Sequence, residues 1–324
     1  MSRPVALVAG ASRGLGLLVS MELARRGHRV HGCARDRAEL DRAAALVAAP
    51  TDEDEGGAAP FVPHVVDVRD ADAVSAWVED VLQREGRVDV AIHVAGIIQV
   101  GPVESTTLGH YRDAVDTMLM GPVQLALAVL PSMRAAGRGR IGVVSSVGGV
   151  VSVPHLLPYS VAKFGAVGLS EGLHAALAGT GITATTVVPG LMRTGGHVAA
   201  QLSGDATRDY AWFAPSASLP GLSIDADRAA RRIVDGVLAG RGQVELTPLT
   251  MVGRRVHGIA PGLTVRLVGL AGRLLPSGTD RGPSMSDARP HVTGAEARRR
   301  LGSRVVDGLS VLGDRAARRN AEPR

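Results

Sequence analysis

A tyrosine and a lysine four residues apart, Tyr159 and Lys163, stand in a segment from Leu157 to Ala178 whose apolar residues recur at helical spacing. That separation stacks the phenol and the ammonium on one helical face, one turn apart. A cation beside a phenol favours the phenolate and so lowers the tyrosine pKa, giving a group able to exchange a proton near neutral pH. Lysine plus arginine total 36, and Lys163 is the sole lysine, which leaves 35 arginines (36 − 1). A chain that uses guanidinium for every other cation keeps ammonium here. The chemistry at this position therefore calls for a compact point charge rather than a planar fork.

The elements that must position this pair follow from the alternation of apolar runs and amphipathic segments. Val5 to Ala9 reads as a strand, and Gly10-Ala11-Ser12-Arg13-Gly14-Leu15-Gly16 opens a helix to about Arg26. Strands are expected over Arg29–Ala34, Val62–Val68, Val88–Ala95, Arg140–Ser146, Thr183–Val188 and Gln243–Leu246, with helices between them, including a long one from about Leu108 to Ala136. Such alternation implies an α/β fold, a doubly wound, Rossmann-type parallel sheet of seven strands in one domain. The domain is expected over 1–248, with 191–224 as a substrate loop. An apolar, arginine-bearing helical extension (249–275) and an Arg-rich, loosely ordered tail (276–324) follow. The acidic, glycine-rich stretch from Pro50 to Pro60 reads as a solvated loop.

Composition excludes several classes. Aromatic residues make up 2% of the chain, too few for the stacking platforms of single-strand nucleic-acid binders, so no nucleic-acid partner is expected. One cysteine, Cys33, cannot form an intramolecular disulfide and suits a reducing compartment. No secretory leader precedes the first strand and no uninterrupted apolar run of ~18 residues occurs, so a cytoplasmic location is expected. No metal-ligand set is assigned.

Gly10, Gly14 and Gly16 form G-x-x-x-G-x-G between a strand and a helix, where a tight turn brings backbone N–H groups and a helix N-terminus against a pyrophosphate. With Ser146 at the end of strand five, Tyr159-x-x-x-Lys163 thirteen residues on, and Pro189-Gly190 after strand six, the chain resembles the short-chain dehydrogenase/reductase family from about Pro4 to Leu246. The resemblance implies an NAD(P)-dependent oxidoreductase of carbonyls or alcohols, acting as a homo-oligomer on a small-molecule substrate. It implies Tyr159 as general acid/base, Ser146 as hydrogen-bond partner of the substrate oxygen in preference to Ser145, and Lys163 as holder of the nicotinamide ribose. It further implies cofactor contacts from Gly10, Ser12, Arg13, Gly14, Leu15, Gly16, Ala95, Gly96, Pro189, Gly190 and Thr194, and adenine contacts from Asp67 and Val68.

Strand two ends at Ala34, and Arg35 follows where an acidic residue would take the ribose 2′-hydroxyl of NAD. Arg35 and Arg13 instead suit a 2′-phosphate, so NADP is expected over NAD, with Asp36 left as a helix N-cap. Two positions depart from the family pattern. His93-Val94-Ala95-Gly96 replaces Asn-Asn-Ala-Gly, with His93 expected to take part of the lost bracing role. Met118 replaces the asparagine that holds a water next to the lysine, which raises a catalytically weak or inactive dinucleotide-binding regulator as the alternative. Tyr210, Trp212 and Phe213 either line an apolar pocket with Ile98, Val100, Leu156 and Leu157 or anchor the loop. His155 either touches substrate or lies at the surface. The extension at 249–275 is expected to pack onto the domain, with peripheral membrane contact or closure over the pocket left open.

Overall fold

The computed structural model describes residues 3–48, 61–219, 223–276 and 282–322. The acidic loop expected at 50–60 lies outside the described residues. Strand β1 (Val5–Ala9) leads into α1 (Gly14–Arg25), followed by β2 (Arg29–Ala34), α2 (Arg37–Ala48), β3 (Phe61–Val65), α3 (Ala71–Glu85) and β4 (Val90–His93). A short β5 (Gln99–Val100) precedes α4 (Leu108–Val115), a π-helical turn over Asp116–Met120 and α5 (Gly121–Ala136). Then come β6 (Gly139–Val144), α6 (Leu157–Ala176), β7 (Ile182–Val188), β8 (Leu191–Arg193), β9 (Gln201–Leu202), α7 (Ala206–Ser216) and β10 (Ser223–Asp225). The remaining elements are α8 (Ala226–Leu238), β11 (Gln243–Glu245), α9 (Pro248–Ile259), α10 (Pro261–Gly272), β12 (Val292–Thr293), α11 (Gly294–Leu301) and α12 (Arg304–Arg319).

Seven strands form one sheet in the order β11-β7-β6-β4-β1-β2-β3, and every pairing within it is parallel. The doubly wound fold expected from the alternation is therefore present. Apolar side chains of the strands alternate between two cores. Ala6, Val8, Val90 and Ile92 pack against α1 and α8 on one face, and Leu7, Ala9, Ala91 and Ile141 against α3 and α5 on the other. Caps fix the helix ends: the Asp70 carboxylate accepts from the N–H groups of Asp72 and Ala73, and Gly86 ends α3 in the left-handed region. The strand order reverses between β1 and β4, and a doubly wound sheet opens a ligand crevice at that point.

Three sequence expectations are altered. The helix expected unbroken from Leu108 to Ala136 carries a π turn, in which the Gly121 N–H reaches back to the Asp116 carbonyl. Pro122 lacks the N–H that would bond the Met118 carbonyl, so the chain takes the wider register there. This 29-residue stretch is the one helix among the described residues long and apolar enough to cross a membrane, and its Leu125, Ala126, Val129 and Met133 pack into the core beneath the sheet. The tail expected to be loose instead forms β12, α11 and α12. β12 pairs antiparallel with β9, and the two helices lie against α7. Strand three ends at Val65 rather than Val68, because Val66 N–H still bonds the Ala34 carbonyl but the chain then turns at Asp67.

Candidate active site

The turn after β1 is shaped by close approach. Gly10 has φ +86° and lies against Ala95 in the turn after β4, where a Cβ would meet the Ala95 backbone at 2.6 Å. Gly14 (φ +54°) starts α1, and Gly16 faces the Gly10 carbonyl, where a Cβ would come to 1.8 Å. No side chain fits at either contact. Gly10, Ser12, Arg13, Gly14, Leu15 and Gly16 thus form the edge of the crevice, with Leu15 buried beneath it. Ala95 and Gly96 form the facing edge, and Val68 is buried next to it.

Across the sheet, Lys163 is buried at 4% exposure, and its Nζ donates to the Val144 carbonyl at 2.7 Å at the end of β6. Its ammonium lies 5.7 Å from the centre of the Tyr159 ring. Ser146 lies beside the Tyr159 phenol and accepts the Gly148 N–H at 3.1 Å. Ser145 is turned inward, donating to the Lys163 carbonyl at 2.8 Å, so of the two serines Ser146 faces the phenol. Burial lowers the Lys163 ammonium to about 8. Burial also pushes the Tyr159 phenol up, against the opposing pull of the neighbouring Ser146 hydroxyl. The downward tuning expected from the helical spacing is thus not present in the site as it stands: the ammonium is turned to a carbonyl, and desolvation outweighs it.

Met118 sits on the π turn, 1% exposed, and packs with Ala114, Ala162 and Tyr159. Gly96 lies beside it, where a Cβ would meet the Met118 sulfur at 3.4 Å and Lys163 Nζ at 3.8 Å. An apolar thioether therefore fills the space behind the lysine. His93 is buried under Gly121, with its Nε2 unpartnered among the described residues, and burial together with the Lys163 charge drives its imidazole down to about 3. It does not take over the bracing role expected of it.

The far end of the crevice is closed by β7 and the residues after it. The Pro189 carbonyl accepts the Val147 N–H at 2.7 Å, Gly190 leaves room for Thr247, and the Thr194 hydroxyl accepts the Gly196 N–H at 3.2 Å. The Asp67 carboxylate, expected near adenine, is held by Arg69 at 2.6 Å, and that pairing lowers its pKa. Arg35 is exposed at the end of β2 and has no ion pair among the described residues. Asp36 caps α2, accepting the Glu39 N–H at 2.9 Å.

Sequence reasoning missed the residues that occupy this crevice. Beyond α12, the Asn320 carbonyl accepts the Gly14 N–H at 2.8 Å, and its amide donates to the Thr194 carbonyl at 3.2 Å. The buried Glu322 carboxylate lies 3.3 Å from Arg13 Nε. Arg13 is shared with Glu39, at 2.7 Å, and Glu39 also takes the Ser12 hydroxyl at 2.9 Å. Burial pushes the Glu322 carboxyl up to about 7, with Arg13 opposing and Glu39 adding to the shift. The one available cue was composition: Asn320 is the sole asparagine in the chain. A carbonyl on the glycine-loop amide and a carboxylate on Arg13 stand where phosphate oxygens of a dinucleotide would bind, so the residues present fit such a group.

Tyr210 and Phe213 are buried with Val100, Leu156 and Ala297, so these aromatics anchor the segment between β7 and α8. Trp212 stacks edge-on to Phe213. His155 is neither free nor merely superficial: with φ +62° it places Nδ1 2.9 Å from the fully buried Asp209 carboxylate.

Residues 4–202 match the short chain dehydrogenase family. The chain belongs to that family. Among relatives of this short-chain dehydrogenase, the granaticin polyketide synthase putative ketoacyl reductase 1 of Streptomyces violaceoruber is 36% identical over 195 residues, 60% of this chain and 69% of that protein. A short-chain dehydrogenase from Streptomyces avermitilis superposes with a TM-score of 0.70 at 32% identity, covering 84% of this chain and 98% of its own. Actinorhodin polyketide ketoreductase with NADPH superposes with a TM-score of 0.64 at 29% identity, over 76% and 97% of the two chains. The chain is accordingly an NAD(P)-dependent oxidoreductase.

Proposed function

We propose that this short-chain dehydrogenase uses NADP to interconvert an apolar carbonyl compound and its secondary alcohol. The observation that carries the reading is the placing of Ser146 beside the Tyr159 phenol with the chain's one lysine ammonium 5.7 Å from the ring, beside the end of β6. When bound, the nicotinamide supplies or accepts hydride at the carbonyl carbon. Tyr159 gives its hydroxyl proton to the carbonyl oxygen, and Ser146 donates a hydrogen bond to the same oxygen. Lys163 holds ribose hydroxyls and counters the burial that otherwise keeps the phenol protonated. Gly14, Leu15, Gly16, Thr194 and the Pro189-Gly190 turn hold the dinucleotide backbone, and Ala95-Gly96 flank it. The exposed guanidinium of Arg35, with no ion pair among the described residues, binds the 2′-phosphate, while Arg13 joins it only on leaving Glu39 and Glu322.

Leu127 on α5 and Val161 on α6 are exposed at 63% and 44%, and these long helices are the proposed homo-oligomer face. A second reading, a regulator that binds dinucleotide without turnover, is favoured by Met118 behind Lys163 and by the tail in the crevice. Tyr159→Phe separates the two. The substitution keeps the ring and the fold, so NADPH binding by calorimetry should persist while reduction across a panel of ketones and aldehydes falls to background. Substantial residual turnover would remove Tyr159 from its role, and a wild type that binds NADPH but reduces nothing would establish the regulator.

A further inference from the structure

Helices α9 and α10 carry a continuous apolar stripe that the domain does not cover. Leu249, Val252, Val256, Ile259, Leu263, Leu267, Leu270 and Leu274 follow at steps of three or four residues across both helices, and each is exposed, from 44% at Val256 to 88% at Leu274. That spacing places Leu249, Val252, Val256 and Ile259 along one side of α9 and Leu263, Leu267 and Leu270 along one side of α10, with the chain turning at Ala260 between them. Thr264 is instead buried, and Val268 faces inward with it. The same stretch, 248–276, contains Arg254, Arg255, Arg266 and Arg273 and no aspartate or glutamate. Arg254 and Arg255 reach Glu245, whereas Arg266 and Arg273 are exposed with no ion pair among the described residues.

An apolar stripe bordered by cations that have no ion pair among the described residues matches an anionic lipid surface. A second copy of the chain would set Arg266 and Arg273 against the same cations, which the charge pattern opposes.

Behind α10 lies a cavity of about 540 Å³, within the range of small-molecule sites. Val265, Val268 and His257 form its outer wall, and Val153, His155 and Leu157, at the start of α6, its inner wall. Its lining is mostly apolar.

We propose that the outer stripe of α9–α10 docks on an anionic bilayer, and that the cavity behind it receives a long-chain carbonyl compound from that bilayer. The docking stands on the exposed stripe and its charge. The substrate class rests in addition on the oxidoreductase reading above.

The test is co-sedimentation of the full chain with vesicles of phosphatidylcholine alone and with equal parts of phosphatidylcholine and phosphatidylglycerol. Binding should be confined to the anionic vesicles and reversed by high salt. It should weaken by roughly 25-fold in Arg266→Gln/Arg273→Gln, about fivefold for each cation near the surface. Ile259→Glu/Leu263→Glu should stay in the supernatant with an unchanged melting temperature, since both side chains already face solvent. A wild type that stays in the supernatant, or sedimentation indifferent to both double variants, overturns the docking. So does a wild-type dimer that Ile259→Glu/Leu263→Glu turns into a monomer, for then a second copy covers the stripe.

For the substrate, wild type should reduce a long-chain ketone faster when it is delivered in anionic vesicles, and Ile259→Glu/Leu263→Glu should lose that gain while reducing a short soluble ketone normally. Turnover of the short ketone with no vesicle effect on the long one overturns the substrate class. If no ketone is reduced at all, the oxidoreductase reading falls, and with it the substrate class, while the sedimentation result decides the docking alone.

Discussion

Ending the chain at Arg319 should tighten NADPH binding, because the residues beyond it lie across the crevice that the cofactor must enter. The Gly14 N–H to Asn320 carbonyl and Asn320 amide to Thr194 carbonyl hydrogen bonds contribute about 1 kcal/mol each. The contact of the protonated Glu322 carboxyl with Arg13, whose guanidinium is partly exposed, contributes about 1 kcal/mol more, and Ala321 against the core about another. Ordering Asn320, Ala321 and Glu322 takes back about 1 kcal/mol per residue. The remainder, about 1 kcal/mol, favours the docked tail by roughly fivefold. A cofactor that binds only the open form then has its apparent Kd raised by that factor.

The pH dependence has a definite sign. The docked Glu322 carboxyl sits at about 7, above its ordinary 4.5, so the docked state holds a proton that the free tail gives up. Docking is therefore strongest below pH 4.5 and weakens as pH rises through 7. The full chain should gain on the truncated one between pH 6 and 8, by on the order of fivefold in relative NADPH affinity, and Glu322→Gln should flatten that difference. Calorimetric titration of NADPH into both proteins at each pH is the assay, with melting temperature as a control for folding. Truncation that leaves NADPH affinity unchanged or weakens it, with the fold intact, refutes the reasoning.

Two further outcomes follow from the same crevice. Arg35→Ala should weaken NADPH binding by roughly ten- to a hundredfold and leave NADH almost unchanged, since Arg35 is an exposed guanidinium at the end of β2 with no ion pair among the described residues. Equal losses for both cofactors in titrations would count against it. Met118→Asn should lower the melting temperature, because an amide replaces a fully packed thioether, while kcat changes by less than about threefold. A large rise in kcat with an altered solvent isotope effect would show instead that the thioether starves the site of protons.

The parallel sheet, the glycine turn and the Ser146–Tyr159–Lys163 corner were legible because each has a local cause: period and run length for the strands, backbone crowding for Gly10 and Gly16, helical stacking for Tyr159 and Lys163. The phenol's pKa was misread because spacing shows a neighbouring ammonium but not the depth of burial or the Val144 carbonyl to which the ammonium turns. Helix α12 was read as loose tail for a related reason. Its buried face is Ser310, Gly313, Asp314, Ala316 and Ala317, whereas the larger Val305 and Leu309 point outward. Small residues permit close packing on Gly195, while the apolar period that the sequence does show, Val305, Leu309 and Leu312, lies on the outward face. The π turn was hidden in the same way, since Pro122 shifts the hydrogen-bond register without disturbing the apolar pattern around it. Asn320 and Glu322 acquire their role only from where α12 delivers them.

A chain whose only lysine is shut inside the crevice presents no side-chain amine on its outer surface. Guanidinium groups keep their charge well past pH 12, so this cationic surface stays constant through mild alkali. Lys163, at about 8, is partly unprotonated under ordinary assay conditions, and the neutral amine is the nucleophilic form. An acylating or carbamylating reagent small enough to enter would mark the crevice rather than the surface. On the peptide that carries Lys163, the mass of one acyl group would thus report how open the crevice is, and protection by a bound dinucleotide would be read from the same peak.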